Sequence, residues 1–189
     1  MTIEELYTKI YNIKNEELRK ELIQSTEIRQ QDRKELLFRQ DEYDNILCFL
    51  GSGIAIAYEI EPSGRTICLK IINQPGDVIV GGLGPIDRYS PVNIEMQDKG
   101  DVFCIPMDKI DKLIREYPEC RSIYNKILTY EYEKQWQINR MLHFESKEDR
   151  YKWFLDQYPG LVNKVNHKII ASFLSMSPVT LSRIRSKIS

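Results

Sequence analysis

Two stretches of this chain hold residue types whose spacing could do chemistry. The first is Asn166–Ile188, reading NHKIIASFLSMSPVTLSRIRSKI. Its cations and hydroxyls suit an anionic polymer: Ser177, Thr180, Lys168 and Lys187 can hold phosphates and fix register. Ser182 stands on the same outer side. Arg183 can either grip guanine through two parallel hydrogen bonds or join the phosphate contacts. The second stretch is Gly81-Gly82-Leu83-Gly84-Pro85, followed by Arg88. Glycines let the backbone approach a ligand and can present several N–H groups to an anion; the same cluster also serves as a plain loop between strands. No lysine and hydroxyl pair follows it as in a nucleotide-triphosphate loop, and no strand–glycine–helix context marks a dinucleotide fingerprint.

Catalytic and metal chemistry find little support. His143 and His167 are the two histidines, each on an expected helix and without acidic or cysteine neighbours that suggest catalysis. Cys48, Cys68, Cys104 and Cys120 are scattered and read as buried free thiols, not zinc or iron–sulfur ligands. The expectation is therefore no enzyme, no metal and no resident cofactor.

The elements that must position Asn166–Ile188 can be read from the same residues. His167–Leu174 has apolar residues at Ile169, Ile170, Phe173 and Leu174, which is helical spacing. Ser175-Met176-Ser177 breaks it. Ser177 suits an N-cap and Pro178 the first helical position, where its missing N–H would be unpaired anyway. A second helix then runs from Pro178 to Ile188, with Leu181 and Ile184 inward. Ala171 provides the small residue that two crossing helices need. This is the anatomy of a helix-turn-helix.

Charge separates this part from the rest. After Asp156 come five basic residues (Lys164, Lys168, Arg183, Arg185 and Lys187) and no acidic one, so the preceding residues carry −6 against −1 for the whole chain. A basic module beside an acidic body is the electrostatic footprint of a DNA-binding protein.

At 189 residues and 42% hydrophobic content the chain can bury a real core. No apolar run is long enough to span a bilayer, and the N-terminal MTIEELYTKIYN reads as a charged amphipathic helix, not a leader. A cytoplasmic protein without membrane contact is expected. Thr2–Asn12 and Asn15 to about Ser25 read as helices. From Thr26 to Met107 come short β-branched and aromatic runs (LLF, NILCFL, GIAIAYEI, RTICLKII, DVIV, VNIEM, DVFCI) separated by Gly, Pro and Asp turns. They predict an antiparallel sandwich or barrel. Met107–Tyr117 is a short amphipathic helix. Pro118 starts a longer one reaching about Phe144, with two apolar stripes: Tyr124, Leu128, Tyr132 and Trp136, and Ile123, Ile127, Tyr130, Ile138 and Met141. One stripe can face the chain's own core and the other a partner helix. Ser146 opens a further helix with a capping-box-like start, ended by Pro159-Gly160.

This order of parts resembles the Crp/Fnr family of bacterial transcription regulators. The likeness runs from about Leu36 to the end. It is carried by LLFRQDEYDNILCFLGSGIAI, QPGDVIVGGLG, VFCIPMDKIDKLIREYPE and, most specifically, RYKWFLDQYP with HKIIASFLSMSPVTLSRIR. The resemblance implies an α+β fold: N-terminal helices, an antiparallel β-roll of jelly-roll type, a long dimerisation helix, and a C-terminal three-helix helix-turn-helix domain. Residues 1–117 would be the sensor, 118–144 the dimerisation helix and 145–189 the DNA-binding domain. It implies a homodimer bound to double-stranded DNA, with RNA polymerase as a further partner. The effector site would fall on Gly81, Gly82, Leu83, Gly84, Arg88, Tyr89 and Ser90.

The chain departs from the family in three places. Members that bind cyclic nucleotides hold the ribose with a Gly-Glu pair and the phosphate with Arg-Ser. Here Gly82 follows Gly81, and at Arg88-Tyr89-Ser90 the arginine is either displaced or shifted by one, so an effector other than cyclic AMP, or none, is expected. Pro178 and Val179 stand where the family often carries Arg and Glu for base contacts. There is no room for a β-hairpin wing before Asn166 or after Ser189. The competing reading is a ligand-sensing or protein-interaction β-roll whose helix-turn-helix binds no specific DNA.

Overall fold

A computed structural model describes residues 1–79 and 89–188. It is a mixed protein of helices and antiparallel sheets. The chain begins with α1 (Ile3–Glu5), a π-helical turn (Leu6–Ile10) and α2 (Glu16–Ser25). Strands follow at β1 (Glu27–Gln31), β2 (Leu36–Phe38), β3 (Ile46–Leu50), β4 (Ala55–Ile60), β5 (Thr66–Ile72), β6 (Val78–Ile79), β7 (Asn93–Met96) and β8 (Gly100–Pro106). Helices close the chain: α3 (Met107–Glu116), α4 (Pro118–Phe144), α5 (Lys147–Gln157), α6 (His167–Phe173) and α7 (Pro178–Ile188), with a 3-10 turn at Leu161–Asn163. Among the described residues no strand follows Pro106.

The chain divides into two compact units, Met1–Ala57 with Ile71–Tyr130, and Tyr58–Lys70 with Glu131–Ser189. The long helix α4 contributes to both.

The strands form two four-stranded sheets, ordered β1-β8-β3-β6 and β2-β7-β4-β5. In the first, β3 and β8 are central. Cys48 lies directly opposite Cys104, and Phe49 opposite Phe103. Alternate side chains enter two separate cores. Leu47, Phe49, Phe103 and Ile105 join Leu6, Leu18, Leu22, Ile110 and Leu113 from the helices. Cys48, Leu50, Val102 and Cys104 join Phe38, Ile72, Ile94 and Met96. A strand buried on both faces has no polar face to show, which is why NILCFL and DVFCI are continuous apolar runs.

Two expectations need correction. The single helix over Thr2–Asn12 is a three-residue α-helix continued by a π turn, closed by Tyr11 N–H to the Leu6 carbonyl at 3.0 Å. That wider turn buries Leu6 and Tyr7 and leaves Ile10 half exposed. The capping box of Thr2 and Glu5 starts the helix. Strand β1 was not among the expected runs. It pairs with β8 from Glu27↔Cys104 to Gln31↔Gly100 while its side chains are mostly exposed.

Gly100 shows how closely the turn after β3 approaches β8. The N–H groups of Gly51 and Ser52 both reach the Asp101 carbonyl, at 2.8 and 3.1 Å. A Cβ on Gly100 would run into the Ser52 carbonyl, backbone against backbone. Gly100→Ala is expected to destabilise the first unit by about 1–3 kcal/mol, the usual cost of overpacking. Differential scanning calorimetry checks this; an unchanged melting profile would show that the turn yields freely.

Candidate functional site

The second unit is built around an aromatic cluster. Phe154 stacks on Tyr158 at 5.2 Å between ring centres, and Phe173 meets both edge-on at 6.2 and 5.7 Å. Trp153 adds a flank, 6.0 Å from Tyr158. This cluster ties α5 to α6. Helix α5 starts at Ser146, whose hydroxyl accepts the Asp149 N–H at 3.2 Å. The Ser146 hydroxyl and Lys152 hold the Asp149 carboxyl below its usual range.

Helix α6 starts at Asn166, whose side chain accepts the Lys168 N–H at 2.9 Å. It stops in a Schellman turn: Ser175 N–H reaches the Ser172 carbonyl and Met176 N–H the Ala171 carbonyl, both at 2.9 Å. Ser175 takes the left-handed conformation there, with φ 52°. The Arg150 guanidinium on α5 donates to the Leu174 carbonyl at 3.2 Å, so a cation sits at the negative end of α6. Helix α7 is capped by Ser177, whose hydroxyl accepts the Thr180 N–H at 3.1 Å. Ala171, Leu174, Leu181 and Ile184 are buried, while Met176 is half buried.

This places each residue expected to touch DNA. Lys168, Ser177, Ser182, Arg183 and Lys187 are exposed, and Thr180 is half buried. The hydroxyls of Ser177 and Thr180 bond each other at 2.9 Å, so both already serve the helix start. Lys187 pairs with Glu148 on α5 at 3.0 Å, with both side chains largely in water. Arg185 lies against the His167 ring. Among the described residues the guanidinium of Arg183 and the hydroxyl of Ser182 have no partner. Pro178 and Val179 stand exposed on the first turn of α7.

The effector residues Gly81, Gly82, Leu83, Gly84 and Arg88 lie outside the described residues. Tyr89 bridges to Tyr43, their rings edge-to-face at 5.8 Å and both more than half exposed. Ser90 is buried: its hydroxyl donates to the Val92 carbonyl at 2.6 Å, and its N–H to the Glu42 carbonyl at 3.0 Å. Its one hydroxyl proton is therefore directed into the fold, leaving lone pairs alone for any ligand. On the approach to this segment, Asp77 accepts the Gln74 N–H at 3.1 Å and Gly76 turns at φ 91°.

Other chemistry-bearing groups are structural. Among the described residues no cluster of metal-ligating side chains occurs. The thiols of Cys48 and Cys104 face each other across β3 and β8. The hydrogen bond to Cys104 and burial hold the Cys48 thiol well above its usual range. Burial pushes Cys68 up to about 12 and Cys120 to about 11. Burial also raises Tyr7 to about 12, while its hydroxyl bonds Thr26 at 2.6 Å. The cavity lined by Tyr7, Phe49, Ile110 and Tyr124 is apolar and only about 30 Å³, too small for a nucleotide.

Ser172 is a further positioning residue of this unit. Its hydroxyl accepts the Cys68 N–H at 2.9 Å and donates to the Thr66 carbonyl at 3.0 Å, so α6 holds the free edge of β5. No local signal marks it, because the partners lie more than a hundred residues away.

Residues 28–117 match the cyclic nucleotide-binding domain family. No curated protein sequence matches the chain. Solved structures do. FixK2 from Bradyrhizobium japonicum superposes with a TM-score of 0.77 at 16% identity, over 86% of this chain and 84% of that one. The c-di-GMP-responsive global regulator CLP from Xanthomonas campestris gives 0.74 at 14% identity, over 92% and 91%. A protein assigned to the Crp/Fnr regulators from Eubacterium rectale gives 0.74 at 15%, over 94% and 85%. Residues 28–117 thus resemble a cyclic nucleotide-binding domain, and the fold matches that of the Crp/Fnr regulators. The domain match begins inside β1 and ends at Tyr117, just after α3. Among the described residues, no helix is long and apolar enough to cross a membrane.

Proposed function

We propose that the chain is a homodimeric, sequence-specific DNA-binding transcription regulator of the Crp/Fnr type. The observation that carries this is the outer face of α7. It presents Arg183, whose guanidinium has no partner among the described residues, on a capped helix in a segment with no acidic residue after Asp156. Helices α6 and α7 act as the helix-turn-helix, with α7 entering the major groove. Lys168, Ser177, Thr180 and Lys187 hold phosphates, while Ser182 and Arg183 face the bases.

The dimer reading rests on α4. Tyr132 and Trp136 are 71% and 61% exposed, and they continue the four-residue step from Leu128. Large aromatics left in water on one helix stripe suit a second copy of that helix. Two-fold pairing sets two copies of α7 about 34 Å apart, one turn of DNA. Residues 1–117 then act as sensor, 118–144 as dimerisation helix and 145–189 as DNA-binding domain. The effector is a small molecule other than cyclic AMP, taken by Gly81–Gly84 and Arg88–Ser90. It acts by binding one arrangement of the dimer better than the other. RNA polymerase is a further partner of the DNA-bound dimer.

Selection from a random duplex pool, followed by mobility shift at low and physiological salt, tests the reading. A folded dimer that retains no duplex at low salt would sink it. Arg183→Ala is expected to relax preference at one base position per half-site, by about 1–3 kcal/mol of discrimination. An equal loss across all sequences would place Arg183 on phosphate alone.

A further inference from the structure

We infer that Val179 reads thymine, packing its side chain against the 5-methyl group in the major groove. This rests on the DNA-binding reading above. Nothing among the described residues accounts for this one. Val179 is 62% exposed, while Leu181 and Ile184 supply the buried face of α7. It caps nothing, since Ser177 accepts the Thr180 N–H. A β-branched residue brings no helix-forming advantage to an exposed position. It stands one helical turn before Arg183, so an apolar group and an unpartnered guanidinium share one exposed face.

That pairing has a matching partner chemistry. Recognition helices present their N-terminal residues to base edges. In the major groove thymine alone offers an apolar group, its methyl, while guanine offers the two acceptors that suit arginine. A carboxylate at this position would accept a hydrogen bond from cytosine; valine cannot, and it leaves a cytosine amine without a partner. Selectivity therefore comes from both sides, a methyl covered and a donor left unpaired. One helical turn advances about 5.4 Å, and base pairs along a strand are about 3.4 Å apart. The thymine thus lies one or two base pairs from the base that Arg183 touches.

Deoxyuridine provides the test, because it removes the methyl and keeps every hydrogen-bonding group. The full-length protein first selects its own operator from a random pool. Each thymine is then replaced singly by dU and affinity is measured by fluorescence anisotropy. One thymine per half-site, within two base pairs of the position relaxed in Arg183→Ala, is expected to lose about fourfold in affinity, the transfer value of one buried methyl. Val179→Ala should bind more weakly and no longer sense that dU. Val179→Thr, which keeps a methyl, should retain part of the sensitivity. Circular dichroism and melting confirm that both variants fold. A selected operator with no dU-sensitive thymine, or one to which Val179→Ala is equally sensitive, overturns this inference and leaves the regulator reading standing. A pool that yields no operator overturns both.

Discussion

Phe154→Ala is expected to destabilise the second unit by about 3–5 kcal/mol, the range for a large aromatic removed from a packed core. Phe154 is completely buried and lies between Tyr158 and Phe173, so its loss opens the cluster that ties α5 to α6. The two flanking rings are held by their own backbones and cannot collapse far into the space. The measurement is convenient because both tryptophans, Trp136 and Trp153, lie in this unit. Urea unfolding followed by tryptophan fluorescence should show a midpoint well below that of the parent chain. Phe154→Leu, which keeps most of the volume, should lose much less. A loss below about 1 kcal/mol for the alanine variant would mean that the cluster rearranges to fill the gap.

Glu131→Ala comes next in expected size. Glu131 pairs with Lys70, and their side chains are 9% and 17% exposed. Removing one member of a buried pair strands the other charge, which costs about 3–5 kcal/mol. The lower end is expected here, because the lysine stem can carry its ammonium toward water. Lys70→Met should be as harmful, since it leaves a carboxylate behind. The double variant Lys70→Met with Glu131→Leu should recover most of the loss, because a well-packed apolar pair costs nothing to desolvate. The same fluorescence transition reports all three. A double variant no more stable than either single one would show that shape, not charge compensation, is what this position needs.

What could be read from the chain depended on how local its cause was. The turn to α7 was legible because Ser177 and Pro178 act within three residues of themselves. The central strands were legible because burial on both faces writes itself as an apolar run. Strand β1 carries Ile28 as its one apolar residue, and that side chain is 58% exposed. Its place comes from backbone pairing to β8, which no side-chain pattern records. The π turn at Leu6–Ile10 has a related cause: Ile3, Leu6, Ile10 and Ile13 recur at ordinary helical spacing, which carries no mark of the wider turn that leaves Ile10 half exposed. Arg150 and Ser172 were invisible as positioning residues. Their partners are Leu174, 24 positions on, and Cys68 and Thr66, 104 and 106 positions away. The residues expected to touch DNA were legible only as candidates; their contacts within the fold were not, with Ser177 and Thr180 engaged at the start of α7 and Lys187 paired with Glu148.

The grip of Ser172 on β5 bears on how this protein can diverge. The serine holds main-chain groups of Thr66 and Cys68, which every residue type supplies except that proline lacks the N–H. The serine itself therefore sets no side-chain requirement at Thr66 or Cys68 beyond excluding proline at position 68. It does fix strand phase, because a one-residue slip would present the wrong carbonyl and N–H to the serine. Insertions and deletions should collect instead at Pro62–Gly64. There Gly64 N–H to Glu61 and Glu61 N–H to Arg65 close the hairpin on itself, and a longer tip would leave the serine's partners in place.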